Sequence, residues 1–119
     1  MTNGFGCPTI LIAEWDSQLR ATLVGTLEEQ DYLVLVAEDS AEALDIARTH
    51  SRPIQLMLTD GSSEGRTLAA TLQQYRPQMR VLFTPDLRID SVLNWPASEL
   101  TLTKVREFLQ PPRVRAAHA

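Results

Sequence analysis

The stretch Pro53-Ile54-Gln55-Leu56-Met57-Leu58-Thr59-Asp60-Gly61 decides how this sequence is read. A near-continuous apolar run, Ile54 to Leu58, stops abruptly at an acid followed by a glycine. A short run of this kind, bounded by turn residues, suits a strand buried on both faces of a parallel sheet. Open α/β sheets place ligands and chemistry outside the carboxyl ends of such strands. Asp60 is therefore the first candidate functional residue.

Working outward, the same grammar repeats on both sides. Thr9-Ile10-Leu11-Ile12-Ala13 reads as another buried strand that ends in Glu14-Trp15-Asp16. Asp16 or Ser17 supplies a helix cap by accepting from a free backbone N–H. Leu19, Leu23 and Leu27 then form one apolar stripe. Asp31 breaks that pattern before the β-rich run Tyr32-Leu33-Val34-Leu35-Val36. Asp39 with Glu42 has the form of a capping box opening a helix from Ser40 to about Thr49. Beyond Asp60, Gly61 to Gly65 reads as a loop, and Leu68, Leu72 and Tyr75 mark a third helix closed before Pro77. Arg80-Val81-Leu82-Phe83-Thr84 is a fourth strand, stopped by Pro85-Asp86. A last helix opens at Pro96-Ala97-Ser98-Glu99 and carries Leu102, Val105, Phe108 and Leu109 as its buried stripe. Strands alternating with amphipathic helices predict one doubly wound α/β domain with a parallel sheet. Its expected span is 8–110, with 111–119 as a flexible tail.

Composition narrows the function classes. A chain of 119 residues with 44% hydrophobic and 22% charged side chains suits one globular domain with its own core. A formal charge of -4 argues against nucleic-acid binding, which draws on Lys and Arg. The single cysteine, Cys7, excludes an internal disulfide and offers no metal-ligand spacing. No apolar run reaches the roughly 20 residues of a membrane span, and Met1 to Gly6 lacks the regions of a signal peptide. A cytoplasmic location is expected. No nucleophile–base pair can be assembled from residue spacing, so an enzyme is not expected.

The ordered set of these segments resembles the receiver domain of bacterial two-component response regulators, over roughly Thr9 to Leu109. Ile10 to Glu14 with Asp16 and Leu19-Arg20 follows the family's first strand and acidic loop. Asp31 to Val34, Ala37, Asp39 and Glu42 to Leu44 follow the second strand and helix. Pro53 to Asp60 matches the phosphoacceptor strand, Arg76-Pro77 with Val81-Leu82-Phe83 the fourth, and Lys104 to Leu109 the last helix. The resemblance implies a five-stranded flavodoxin-like sheet in the order 2-1-3-4-5. It also implies that Asp60 takes a phosphoryl group from a histidine kinase or phosphotransfer protein. In the family, two loop acids hold Mg²⁺, a lysine pairs with the phosphoryl oxygens, a Ser or Thr hydroxyl binds the product, and an aromatic relays the change.

Carried over residue by residue, much of that equipment is missing. Glu14 keeps one acid, and Trp15 stands where the second belongs. The metal set reduces to Glu14, Asp60 and Ser62, so Mg²⁺ is expected to bind weakly. Pro85 falls on the switch hydroxyl, with Thr84 one residue away, and Val92 takes the aromatic position. Trp95, before Pro96, replaces the lysine. The interval from Asp86 to Asn94 is too short for a full fourth helix with its strand, so that helix is expected to be lost or shortened. Two readings result. One is a receiver-type signalling module with Asp60 as phosphoacceptor in an impaired, atypical site. The other is a phosphorylation-independent pseudo-receiver that docks another signalling protein or forms a homodimer. Trp15 and Trp95 are read as pocket residues flanking Asp60, with core filling favoured over partner recognition.

Overall fold

The computed structural model describes residues 8–84, 89–90, 95–96 and 98–109. The order is β1 (Thr9–Ala13), α1 (Ser17–Glu28), β2 (Leu33–Val36), α2 (Ser40–Thr49), β3 (Leu56–Thr59), α3 (Ser63–Tyr75) and β4 (Arg80–Phe83). Two short strands, β5 (Ile89–Asp90) and β6 (Trp95–Pro96), precede α4 (Ser98–Leu109). The first four strands form a parallel sheet in the order β2-β1-β3-β4. Strands β1 and β3 are buried throughout because both of their faces are covered by helices.

Alternation sorts the core into two layers. Leu11, Ala13 and Met57 join Ala43 and Ala47 of α2 and Leu68, Ala69 and Leu72 of α3. Ile10, Ile12, Leu56, Leu58 and Leu82 join Leu23 and Leu27 of α1 and Leu102 and Val105 of α4. The sheet thus carries α2 and α3 on one face and α1 and α4 on the other.

Local chemistry sets the element ends. Asp16 caps α1, its Oδ1 accepting from the N–H groups of Gln18 and Leu19 at 3.0 Å each. Asp31, at φ 65°, turns the chain from α1 into β2, a left-handed conformation that Asp tolerates better than most residues. Asp39 caps α2 through the Glu42 N–H. The reciprocal bond of a capping box is displaced by one residue, since Glu42 Oε1 accepts from the Glu38 N–H at 2.6 Å. Arg76 closes the far end of α2 from outside, its guanidinium donating to the carbonyls of Ala47, His50 and Arg52.

The expected order 2-1-3-4-5 holds for its first four positions. No fifth parallel strand is found among the described residues. In its place β5 and β6 pair antiparallel with each other, Ile89 opposite Pro96 and Asp90 opposite Trp95. Fewer residues separate β4 from these two strands than the roughly dozen that a crossover to a parallel neighbour takes. No α-helix is found among the described residues between Phe83 and Ser98, in line with a lost or shortened fourth helix. The expected tail 111–119, Cys7, Pro85 and Val92 lie outside the described residues.

Candidate functional site

Register brings three side chains together at the carboxyl edge of the sheet. The last paired row is Ala13 beside Thr59 beside Phe83. One residue further along each strand stand Glu14, Asp60 and Thr84. The Glu14 carboxyl and the Thr84 hydroxyl meet across the end of β3, while the Asp60 side chain lies against the start of α3. The row just below is tied by Thr59, whose hydroxyl donates to the Ala13 carbonyl at 2.9 Å.

Asp60 is half-buried. Its Oδ1 accepts from both the N–H of Ser62, at 3.1 Å, and the hydroxyl of Ser62, at 2.6 Å. Ser62 in turn caps α3, its Oγ accepting from the Gly65 N–H at 3.1 Å. The helix therefore starts at Ser63, and the loop expected as far as Gly65 is shorter. Gly65 is needed here for space, because a Cβ would lie 2.3 Å from Asp60 Oδ1 and 2.4 Å from its carbonyl oxygen. The N-terminus of α3, with its partial positive charge, thereby abuts the Asp60 carboxylate.

Glu14 is buried, and each of its carboxyl oxygens accepts one hydrogen bond. Oε1 accepts from the Thr84 hydroxyl at 3.2 Å, and Oε2 accepts from the Asp16 N–H at 3.2 Å. Burial raises its pKa above the usual 4.5, and the charges of Asp60 and Asp16 add to that rise while the two hydrogen bonds oppose it. Arg20 steadies the same turn by donating to the Glu14 carbonyl at 2.9 Å. Among the described residues no three His, Cys, Asp or Glu side chains converge as a metal seat. Mg²⁺ requires near-octahedral oxygen donors, and here both Glu14 oxygens and Asp60 Oδ1 already accept bonds. A Mg²⁺ ion held by Glu14, Asp60 and Ser62 would compete with these bonds.

Trp15 points the other way. It packs partly buried against the layer of α2 and α3, and its buried indole Nε1 has no partner among the described residues. Trp15 thus fills the core beside the site, on the opposite side of the sheet from Glu14. The backbone of Trp95 pairs with Asp90, and its side chain lies outside the described residues.

Sequence reasoning missed Arg66. Its guanidinium lies over the Phe83 ring, 4.7 Å from the centroid, and its Nε donates to the Gly61 carbonyl at 3.0 Å. It ties the loop after Asp60 to the end of β4 through a cation–π contact. An arginine one turn into a helix that starts beside a strand-end acid is the only sequence trace of this role.

No family model matches the chain, and no curated protein matches it. Solved structures do. The chain is similar to the receiver domain from the hybrid histidine kinase CckA, with 25% identity, 86% of this chain and 99% of that one covered, and a TM-score of 0.65. It is also similar to the non-phosphorylated HemR receiver domain from Leptospira biflexa, at 23% identity, with 89% and 97% covered and a TM-score of 0.68. The second likeness speaks to the fold alone.

Proposed function

We propose that this chain, which has the fold of a response-regulator receiver domain, is a receiver-type signalling module whose phosphoacceptor is Asp60. One observation carries the reading: Asp60 ends the central strand β3 with Glu14 and Thr84 level on either side. In the proposed step an Asp60 carboxylate oxygen attacks the phosphorus of a phosphohistidine on a histidine kinase or phosphotransfer protein. The O–P bond forms, the N–P bond breaks, and the leaving imidazole takes up a proton. The α3 N-terminus favours the added negative charge.

The site is proposed to be slow. Asp60 Oδ1 is occupied by Ser62, Trp15 replaces an acid, and the family lysine has no counterpart at Trp95. Loss of one group that stabilises developing charge costs on the order of 10² to 10³ in rate. Mg²⁺ enters the proposal as a weak ligand at most. Module and partner associate in it as signalling proteins, and no enzymatic turnover is assigned.

A second reading has its own support. The engaged Asp60 and the core-packed Trp15 suit a pseudo-receiver that docks a protein partner, or a second copy of itself, without phosphorylation. Acetyl phosphate separates the two. With Mg²⁺ in excess, the first reading expects a slow mass gain of one phosphoryl group that is absent in Asp60→Asn. No gain at any Mg²⁺ concentration leaves the pseudo-receiver.

No helix among the described residues is long and apolar enough to cross a membrane.

A further inference from the structure

Strands β1 and β4 are not neighbours, since β3 lies between them. Their ends stand about 9.5 Å apart, twice the ordinary strand spacing. The Glu14 side chain closes that gap, with Oε1 3.2 Å from Thr84 Oγ1. Glu14 is 4% exposed and Thr84 5% exposed, so water does not compete for the bond. A bridge from β1 to β4 passes the end of β3, where Asp60 stands. The carboxyl is also held from behind by the Asp16 N–H, so it does not swing freely.

We propose that Glu14 latches the Thr84 hydroxyl in the resting protein, in competition with a phosphoryl group on Asp60. This rests on Asp60 being the phosphoacceptor. A phosphoryl oxygen would need the Thr84 hydroxyl as a donor, and that hydroxyl is already given to a carboxyl oxygen beside it. Glu14 acts as a brake on the level of phosphorylation, a role opposite in sign to that of a metal-holding acid.

The test uses the full chain with methyl-labelled threonine, in wild type, Glu14→Ala, Glu14→Gln and Thr84→Val, at fixed Mg²⁺. Without any phosphoryl donor, Glu14→Ala should move the Thr84 methyl resonance. Glu14→Gln keeps an acceptor and should leave the resonance near its wild-type position. With acetyl phosphate, Glu14→Ala should raise the phosphorylated fraction about five-fold, the factor given by one ordinary competing hydrogen bond. Adding Thr84→Val should cancel that rise. An unmoved methyl in Glu14→Ala overturns the latch. So does an equal loss of labelling in Glu14→Ala and Glu14→Gln, the pattern of a metal acid. If no variant takes up phosphate, the phosphoacceptor reading fails, and the methyl shift still decides the latch. Should Glu14→Ala not fold, the Glu14 carboxyl carbon gives the same answer: its resonance should move in Thr84→Val and hold in Thr84→Ser. No movement in Thr84→Val overturns the proposal.

Discussion

The two faces of the sheet are packed on different plans. Of the eleven described buried residues in the layer under α2 and α3, five are alanines: Ala13, Ala37, Ala43, Ala47 and Ala69. Among the described residues, the buried set under α1 and α4 holds no alanine and comprises Ile10, Ile12, Leu23, Leu27, Leu56, Leu58, Leu82, Leu102 and Val105. Small residues let helix backbones approach the sheet closely but supply little apolar area. Large ones supply area at the cost of distance, at roughly 25 cal/mol per Å² buried. The small-residue face is accordingly supplemented by arginines, Arg76 on the end of α2 and Arg66 over Phe83. The large-residue face has a different use. Past the last paired residues of its strands stand Glu14, Asp60 and Thr84.

The sharpest way to break this contrast is to exchange the sizes. Leu58→Ala removes a side chain that is 0% exposed, and should cost about 2–5 kcal/mol with the cavity included. Ala47→Leu on the other face adds volume at a buried position, and should cost about 1–3 kcal/mol. Urea denaturation of both variants checks the pair. A neutral or stabilising Ala47→Leu would show that the α2 layer has room, and the account of close approach would go with it.

Arg76 comes next in size. Its guanidinium serves three carbonyls at once, a fork that lysine cannot reproduce. It is partly exposed, which keeps its worth to about 1.5 kcal/mol. Arg76→Ala should lower stability by that amount and speed amide exchange in the last turn of α2, with Arg76→Lys recovering little. Exchange confined to α3 would mean that Arg76 serves its own helix end alone.

These same residues show why the sequence could be read only in part. The buried strands β1 and β3 were legible because apolar runs bounded by turn residues mean burial on two faces. Caps at Asp16 and Asp39 were legible because capping is local. Arg76 was seen as part of an Arg-Pro pair, but its partners lie 24 to 29 residues away. The Glu14–Thr84 bond spans 70 residues and needs the register of three strands. By that register Thr84, one of the two residues the resemblance offered for the switch hydroxyl, is level with Asp60. Trp15 was expected beside the pocket, and only alternation shows that it turns to the other layer. The antiparallel pair Asp90–Trp95 follows from a short connection whose length alone did not say how the chain would return.

The smallest effect concerns Glu14 and joins the two halves of the contrast, since this carboxyl is packed like a core residue of the large-residue face. Burial, as the main cause, holds its folded-state pKa above 4.5, and the neighbouring Asp60 charge adds to the rise. The folded protein therefore binds this proton more tightly than the unfolded chain does. The resulting stability is fully present below the unfolded pKa and is lost as pH rises through the raised folded value. Wild type should accordingly lose stability relative to Glu14→Gln as pH is raised from about 4 to neutrality, because glutamine has no proton to release. Asp60→Asn should make the loss shallower by removing one neighbouring charge, and only slightly, because burial is the larger cause. Urea midpoints across that range, read as differences between variant and wild type, check both. A flat difference for Glu14→Gln would mean that the carboxyl is solvated in the folded protein, and a solvated Glu14 could not hold Thr84 against water.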